Sequence, residues 1–262
     1  MTMGNRKIGL GVMGFAEMLI MLGIPYDSEE ALRIAEEIMG FISGEARKAS
    51  VELGKVRGSF PNFKGSLWDK KGFPAMRNAT VTTIAPTGTI SIIAGTTSGI
   101  EPLFAVSYIR KVMEGTEMLE VNSLFEEVAK RLNIYSDDLM LEIAEKGSIR
   151  DMQEIPAEVQ RLFVTALDID PLWHVKMQAV FQRYTDNAVS KTVNMRMDST
   201  KEDVMDIFHE AYRLKCKGIT VFRYGSKDDQ VLYIRKVPTM AFEKGMLKAD
   251  SEYTGECKLC SV

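Results

Sequence analysis

The stretch from Val81 to Ser91 constrains this chain more than any other. Val81-Thr-Thr-Ile84 is a β-branched run that reads as a strand. It stops at Pro86, which has no N–H to give to a ladder. Thr87, Gly88, Thr89 and Ser91 supply small or hydroxylated positions, and Ile90, Ile92 and Ile93 read as the first apolar turn of a helix. A strand, a small-residue loop and a helix N-terminus can form an anion site. Free backbone N–H groups point outward there, and the helix dipole favours negative charge. No Gly-Lys-Ser/Thr follows, so this is not a Walker A loop. An ordinary strand-to-helix turn has the same outline, and on the residues alone both readings stand.

The flanking pattern is α/β with few strands and many helices. Ile8, Val12, Phe15, Leu19 and Leu22 recur at helical spacing over residues 6–22. Asp27 and Glu30 resemble a capping box for a second helix, which places Ala31, Ala35, Ile38, Ile42, Ala46, Ala49 and Leu53 on one face. Residues 54–78 hold Pro61, Pro74 and several glycines and read as a long irregular connection. Helices are predicted over 120–132, 136–145, 157–167 and 172–186, then a strand over 190–195. A helix capped by Thr200 and Asp203 follows, with Val204, Ile207, Ala211 and Leu214 inward, and a strand over 219–222. Three strands make a poor sheet by themselves. The chain therefore reads as part of a larger sheet or barrel.

Composition narrows the function classes. Of 262 residues, 45% are hydrophobic and 26% charged, enough for a sizeable core. A net charge of −3 argues against a large basic nucleic-acid surface. No apolar run reaches membrane-spanning length, and no cleavage site follows the basic start, so a cytoplasmic protein is expected. Three cysteines do not make a disulfide framework.

Cys257-Lys-Leu-Cys260 lies on a polar, aperiodic segment that reads as a mobile tail. Two such thiols can close to a disulfide and exchange it with another. Half of a zinc site and a chance pair are the alternatives. Zinc wants four ligands, and neither a second pair nor a nearby histidine is present, so no metal site is expected. Cys216, near a helix end, reads as a buried structural cysteine. Gly9-Leu-Gly-Val-Met-Gly14 fits G-x-G-x-x-G, yet the residues before it are not strand-like. Close packing of a helix explains its glycines better than a dinucleotide does. His174 reads as a core or surface histidine and His209 as solvated. Glu101 can pair with a basic group or orient the loop, but no chemical step attaches to it.

Several motifs in one order resemble a known family. Thr83-Ile-Ala-Pro-Thr-Gly-Thr-Ile-Ser91, Ser98-Gly-Ile-Glu-Pro-Leu-Phe104, Asp186-Asn-Ala-Val-Ser-Lys-Thr192 and Cys216-Lys-Gly-Ile-Thr-Val221 resemble the C-terminal part of the ribonucleotide reductase large chain, as does the segment Arg6–Phe15. The flavour is class II, the adenosylcobalamin-dependent reductases, and the resemblance runs from about residue 5 to about residue 232. The absence of a Tyr-Tyr pair over 219–223 also leans away from class I.

The resemblance implies a partial ten-stranded α/β barrel over residues 1–235 and a flexible redox-active tail over 236–262. It implies thiyl-radical chemistry on a ribonucleoside diphosphate. Pro86, Thr87, Gly88, Thr89, Ile90 and Ser91 would bind the substrate phosphates. Cys257 and Cys260 would carry electrons from a thioredoxin- or glutaredoxin-type dithiol. The family's Asn-Pro-Cys-Gly-Glu segment, with the catalytic cysteine, is nowhere in the sequence. A partner or preceding portion carrying that cysteine is expected, together with adenosylcobalamin and oligomerisation, and the chain alone is expected to be inactive. A rival expectation is a non-catalytic subunit that binds a phosphorylated ligand or senses redox state.

Overall fold

A row of parallel extended segments forms the spine of the chain. In the computed structural model, which describes residues 1–111, 117–226, 232–233 and 247–248, the segment around Leu10 pairs in parallel with that around Thr82. Ile84 pairs in parallel with Val189. The chain then continues from Val189 into β3 (Thr192–Met195), which pairs in parallel with β4 (Thr220–Arg223) from Thr192↔Thr220 to Met195↔Arg223. Four neighbouring parallel segments joined by helical connections make an open piece of an α/β barrel. Among the described residues the row does not close.

The helices are α1 (Thr2–Asn5), α2 (Phe15–Met21), α3 (Glu29–Arg57), α4 (Leu67–Lys70), α5 (Gly88–Ile93), α6 (Ser123–Arg131), α7 (Asp137–Lys146), α8 (Ala157–Leu162), α9 (Pro171–Tyr184) and α10 (Lys201–Arg213). A second, four-stranded sheet holds β1 (Ser107–Lys111) antiparallel to β2 (Glu117–Val121), with β5 (Leu232–Tyr233) and β6 (Leu247–Lys248) on its edges.

Three apolar clusters hold these parts together. In the first, α2, α3 and α9 close on Phe15, Leu19, Ala31, Ala35, Met39, Met177, Val180 and Phe181. Phe15 meets Phe181 edge to face at 5.1 Å. Burying one such ring contributes about 2–3 kcal/mol. The second cluster packs α6, α7 and α8 against β1–β2 around Phe125, Met140, Ile143 and Phe163. In the third, Val175, Val193, Met195, Ile207 and Ala211 tie α9 and α10 to β3.

Several expectations need correction. Residues 6–13 are not helical. Arg6 takes a left-handed φ of 47°, residues 8–10 run extended beside 80–83, and the helix begins only at Phe15. Backbone pairing, Ile8 N–H to Thr80 O at 3.1 Å and Leu10 N–H to Val81 O at 2.8 Å, outweighs the helical spacing of Ile8 and Val12. The cap of α3 is Ser28 and not Asp27: the Ser28 hydroxyl accepts from Ala31 N–H at 3.1 Å. The inward face of α3 drifts to Ser43, Ser50 and Gly54, and Leu53 faces solvent. Residues 120–121 belong to β2, and α8 ends at Leu162 because Thr165 bridges to Leu103. The β1–β2 hairpin was not expected. Thr200 and Asp203 do form the reciprocal box. No helix among the described residues is long and apolar enough to cross a membrane.

Candidate functional site

The loop after Ile84 is built by three glycines and two threonines. The backbone of 81–84 is buried between the 8–11 and 188–190 segments. Gly11 makes this close approach possible, since a Cβ there would lie 2.0 Å from Thr83 O. At Gly14 the chain takes φ 76°, a left-handed value that favours glycine, and a Cβ would meet Thr96 Oγ1 at 2.5 Å. Gly9 abuts the Thr83 methyl. The G-x-G-x-x-G-like run is therefore filled by this chain's own threonines, which leaves no room for a dinucleotide. It serves close packing as expected, but from an extended segment and not from a helix.

Beyond Ala85 and Pro86, both exposed, Thr87 is the N-cap of α5. Its hydroxyl does not cap its own helix. Instead Thr87 Oγ1 accepts from Gly99 N–H at 2.8 Å and lies 3.2 Å from Ser98 Oγ. Gly88, Thr89 and Ile90 are exposed, and first-turn N–H groups have no intrahelical carbonyl to donate to. Ser91 is buried and its hydroxyl donates to Gly88 O at 3.0 Å, so it braces the turn instead of facing outward. Ile90, Ile92 and Ile93 are 54%, 55% and 69% exposed, so the expected apolar turn is helical but unburied. Further along, the hydroxyls of Thr96 and Thr97 donate to Glu17 on α2.

The return limb of the loop is anchored in the core. Glu101 N–H closes a turn onto Ser98 O at 2.9 Å. The buried Tyr26 hydroxyl donates to Ile100 O at 2.6 Å, and burial first, then Glu101, raises its pKa well above 10. The Glu101 carboxylate takes Lys191 Nζ at 2.6 Å on one oxygen and Thr192 N–H at 2.7 Å on the other. Lys191 is completely buried, and its ammonium also donates to Thr192 O and to His174 Nδ1 at 2.9 Å. All three ammonium protons are thereby used. Burial lowers the Lys191 pKa and the Glu101 charge opposes that shift.

Because His174 Nδ1 accepts from an ammonium, the ring proton sits on Nε2, which donates to Ala166 O at 3.0 Å. Burial first, then the Lys191 charge, holds the His174 pKa well below 6.5. The folded ring stays neutral while an unfolded one binds a proton below about pH 6.5. The unfolded state then holds more protons, so stability present above that pH is lost as the pH falls through it. The slope from this one group should be about 0.7 kcal/mol per pH unit near pH 6.5 and approach about 1.4 kcal/mol per unit towards pH 5.5. Urea unfolding at a series of pH values from 7.5 to 5.5 measures it. His174→Gln should flatten the slope, and an unchanged slope would contradict the assignment.

Sequence reasoning found the loop and Glu101 but missed Lys191 and the role of His174. Cys216 is half-buried, with burial pushing its thiol up to about 11, so it stays protonated at neutral pH. Cys257 and Cys260 lie outside the described residues, as does most of the expected tail.

Comparison with known proteins bears on this geometry. The family model described as ribonucleotide reductase, barrel domain, matches residues 1–75 and 74–222. A vitamin B12-dependent ribonucleoside-diphosphate reductase of Thermoplasma acidophilum is 58% identical over 88% of this chain and 30% of its own length. One from Mycobacterium tuberculosis is 49% identical over 97% of this chain and 35% of its own length. The chain thus spans about a third of these relatives. The alpha subunit of the Actinobacillus ureae class Id ribonucleotide reductase shares the fold at a TM-score of 0.73, covering 85% of this chain and 40% of that one, with 24% sequence identity. The chain belongs to the ribonucleotide reductase barrel-domain family.

Proposed function

We propose that this chain is the C-terminal portion, or a split subunit, of a ribonucleoside-diphosphate reductase, and that residues 86–91 bind the substrate's phosphates. One observation carries the reading. The N-cap hydroxyl of Thr87 is diverted to Gly99, so the first-turn donors of α5 stay exposed for a ligand. The relatives' printed names supply the reaction class, reduction of a ribonucleoside diphosphate. In this reading Gly88, Thr89 and Ile90 offer N–H groups to the diphosphate. Their hold fixes the ribose relative to a cysteine on another portion of the enzyme, whose thiyl radical removes the 3′ hydrogen. Positioning of this kind accounts for a large share of catalytic power. Cys257 and Cys260 would pass electrons from a thioredoxin- or glutaredoxin-type dithiol to the site, and the assembled enzyme would work in the cytoplasm as an oligomer.

The relatives' names also state vitamin B12 dependence. The larger of two described grooves has a volume of about 500 Å³ and is lined mainly by Arg183, Arg213, Lys215, Lys217 and Gln182. That lining mixes cationic and apolar groups, Ala179 and Leu214 among them, and does not mark a corrin site. Adenosylcobalamin is proposed for the assembled enzyme on the relatives' names, and no step on these residues is derived through it.

Gly88→Ala tests the loop. A Cβ at Gly88 meets nothing within 4 Å, so the fold should tolerate the methyl group. In the reductase assembled from this chain and the portion bearing the catalytic cysteine, the KM for a ribonucleoside diphosphate should rise about tenfold, with the melting temperature unchanged. An unchanged KM would remove the loop from the substrate site.

A further inference from the structure

The loop offers donors, but a six-residue helix with three exposed isoleucines has little packing of its own to hold it in place. We infer that Lys191 is a positioning residue, whose buried ammonium fixes Glu101 and, through it, the turn that holds Thr87 and aims the first turn of α5. The inference rests on the phosphate-binding reading and adds to it a residue 90 positions beyond Glu101 in sequence.

Each link is short. Lys191 Nζ binds Glu101 Oε2 at 2.6 Å, while Thr192 N–H fixes Oε1 at 2.7 Å. Both carboxylate oxygens are thus tied to the start of β3. Glu101 N–H holds Ser98 O at 2.9 Å. Gly99 N–H and Ser98 Oγ hold Thr87 Oγ1 at 2.8 and 3.2 Å. Ile100, between them, is pinned by Tyr26. The Lys191 side chain is fully buried, and the Glu101 side chain keeps 25% of its surface accessible.

Stability alone is a poor reason for this arrangement. An apolar residue of similar volume commonly replaces a buried ion pair without loss, whereas an ion pair with both oxygens fixed sets position and direction. His174 supports the same geometry from the far side. Its neutral Nδ1 accepts from the ammonium, and its Nε2 proton is held by Ala166 O. Ala166 N–H in turn donates to Leu103 O at 2.7 Å, two residues beyond Glu101. Cation, carboxylate and imidazole therefore clamp one strand of the loop between α9 and β3.

The test compares Lys191→Met, Glu101→Gln and Gly88→Ala in the assembled reductase, with thermal unfolding measured on each. Lys191→Met should raise the KM for a ribonucleoside diphosphate about tenfold. The value of kcat should change by less than about threefold in the same variant. Glu101→Gln retains a single carbonyl acceptor, so its NH2 faces one of the two donors, Thr192 N–H or Lys191, and the charge is lost. It should raise KM by a smaller factor, and it carries the test if Lys191→Met does not fold. A purely structural role would lower the melting temperature and the amount of active enzyme but leave KM alone. If Gly88→Ala raises KM while both Lys191→Met and Glu101→Gln leave it within about twofold of wild type, the loop reading stands and the positioning role is overturned. If none of the three changes KM, the loop reading falls and the positioning role falls with it.

Discussion

Gly11→Ala is expected to destabilise the chain by about 3 kcal/mol or more. The new methyl group would lie 2.0 Å from the Thr83 carbonyl oxygen. That oxygen is backbone, and it belongs to the segment whose N–H groups at Thr83 and Ile84 pair with Leu10 on one side and Ala188 on the other. The clash can be relieved only by moving one parallel segment away from the next. Gly9→Ala is the comparison. Its methyl group would meet Thr83 Cγ2 at 2.4 Å and Thr83 Cβ at 2.9 Å, a wider approach than the 2.0 Å to a carbonyl held in a ladder. Gly9→Ala should therefore cost less than Gly11→Ala. Chemical denaturation of both variants measures the difference, and a Gly11→Ala midpoint equal to wild type would show that the 8–11 and 80–84 segments are not in this register.

Asp186→Ala should cost about 3 kcal/mol. Asp186 follows α9 and holds the first residue of the strand that leads to the loop. One carboxylate oxygen accepts from Val81 N–H at 2.8 Å and the other from Arg47 of α3 at 3.0 Å. Its own N–H donates to Thr82 Oγ1 at 2.9 Å. Val81 is buried, so the lost acceptor leaves an unpaired main-chain donor. The Arg47 share is smaller, because that side chain is 32% exposed and water can replace its partner. Asp186→Asn retains an acceptor for Val81 without the charge, so it should lie between wild type and Asp186→Ala. Equal losses for the two variants would mean that the ion pair, and not the main-chain cap, dominates.

The loop and its helix were legible because they rest on local chemistry. Pro86 ends the strand and small residues open the turn in any context. The Thr200–Asp203 box was legible for the same reason. What escaped depended on partners far away in sequence. The spacing of Ile8 and Val12 suggests a helix, yet Gly9 and Gly11 are there to let a backbone pass close by, and only the 80–84 segment makes that visible. The β1–β2 hairpin was lost because Glu120 and Val121 run directly into α6, and the charged start of that helix hides the strand end. Lys191 carried a signal that went unused. Val193 and Met195 face the core, and a period of two puts residue 191 on the same inward side. A lysine on a buried strand face needs a carboxylate, and Glu101 was already read as able to pair with a basic group. The redox role proposed for Cys257 and Cys260 comes from motif and resemblance, and both residues lie outside the described ones.

The central claim is that the first turn of α5 receives the phosphates of a ribonucleotide. A crystal structure of the assembled reductase with a bound ribonucleoside diphosphate tests it most directly. The account predicts phosphate oxygens within hydrogen-bonding distance of the N–H groups of Gly88, Thr89 and Ile90, with Glu101 still tied to Lys191. A diphosphate bound elsewhere, with that turn facing bulk solvent, would contradict it.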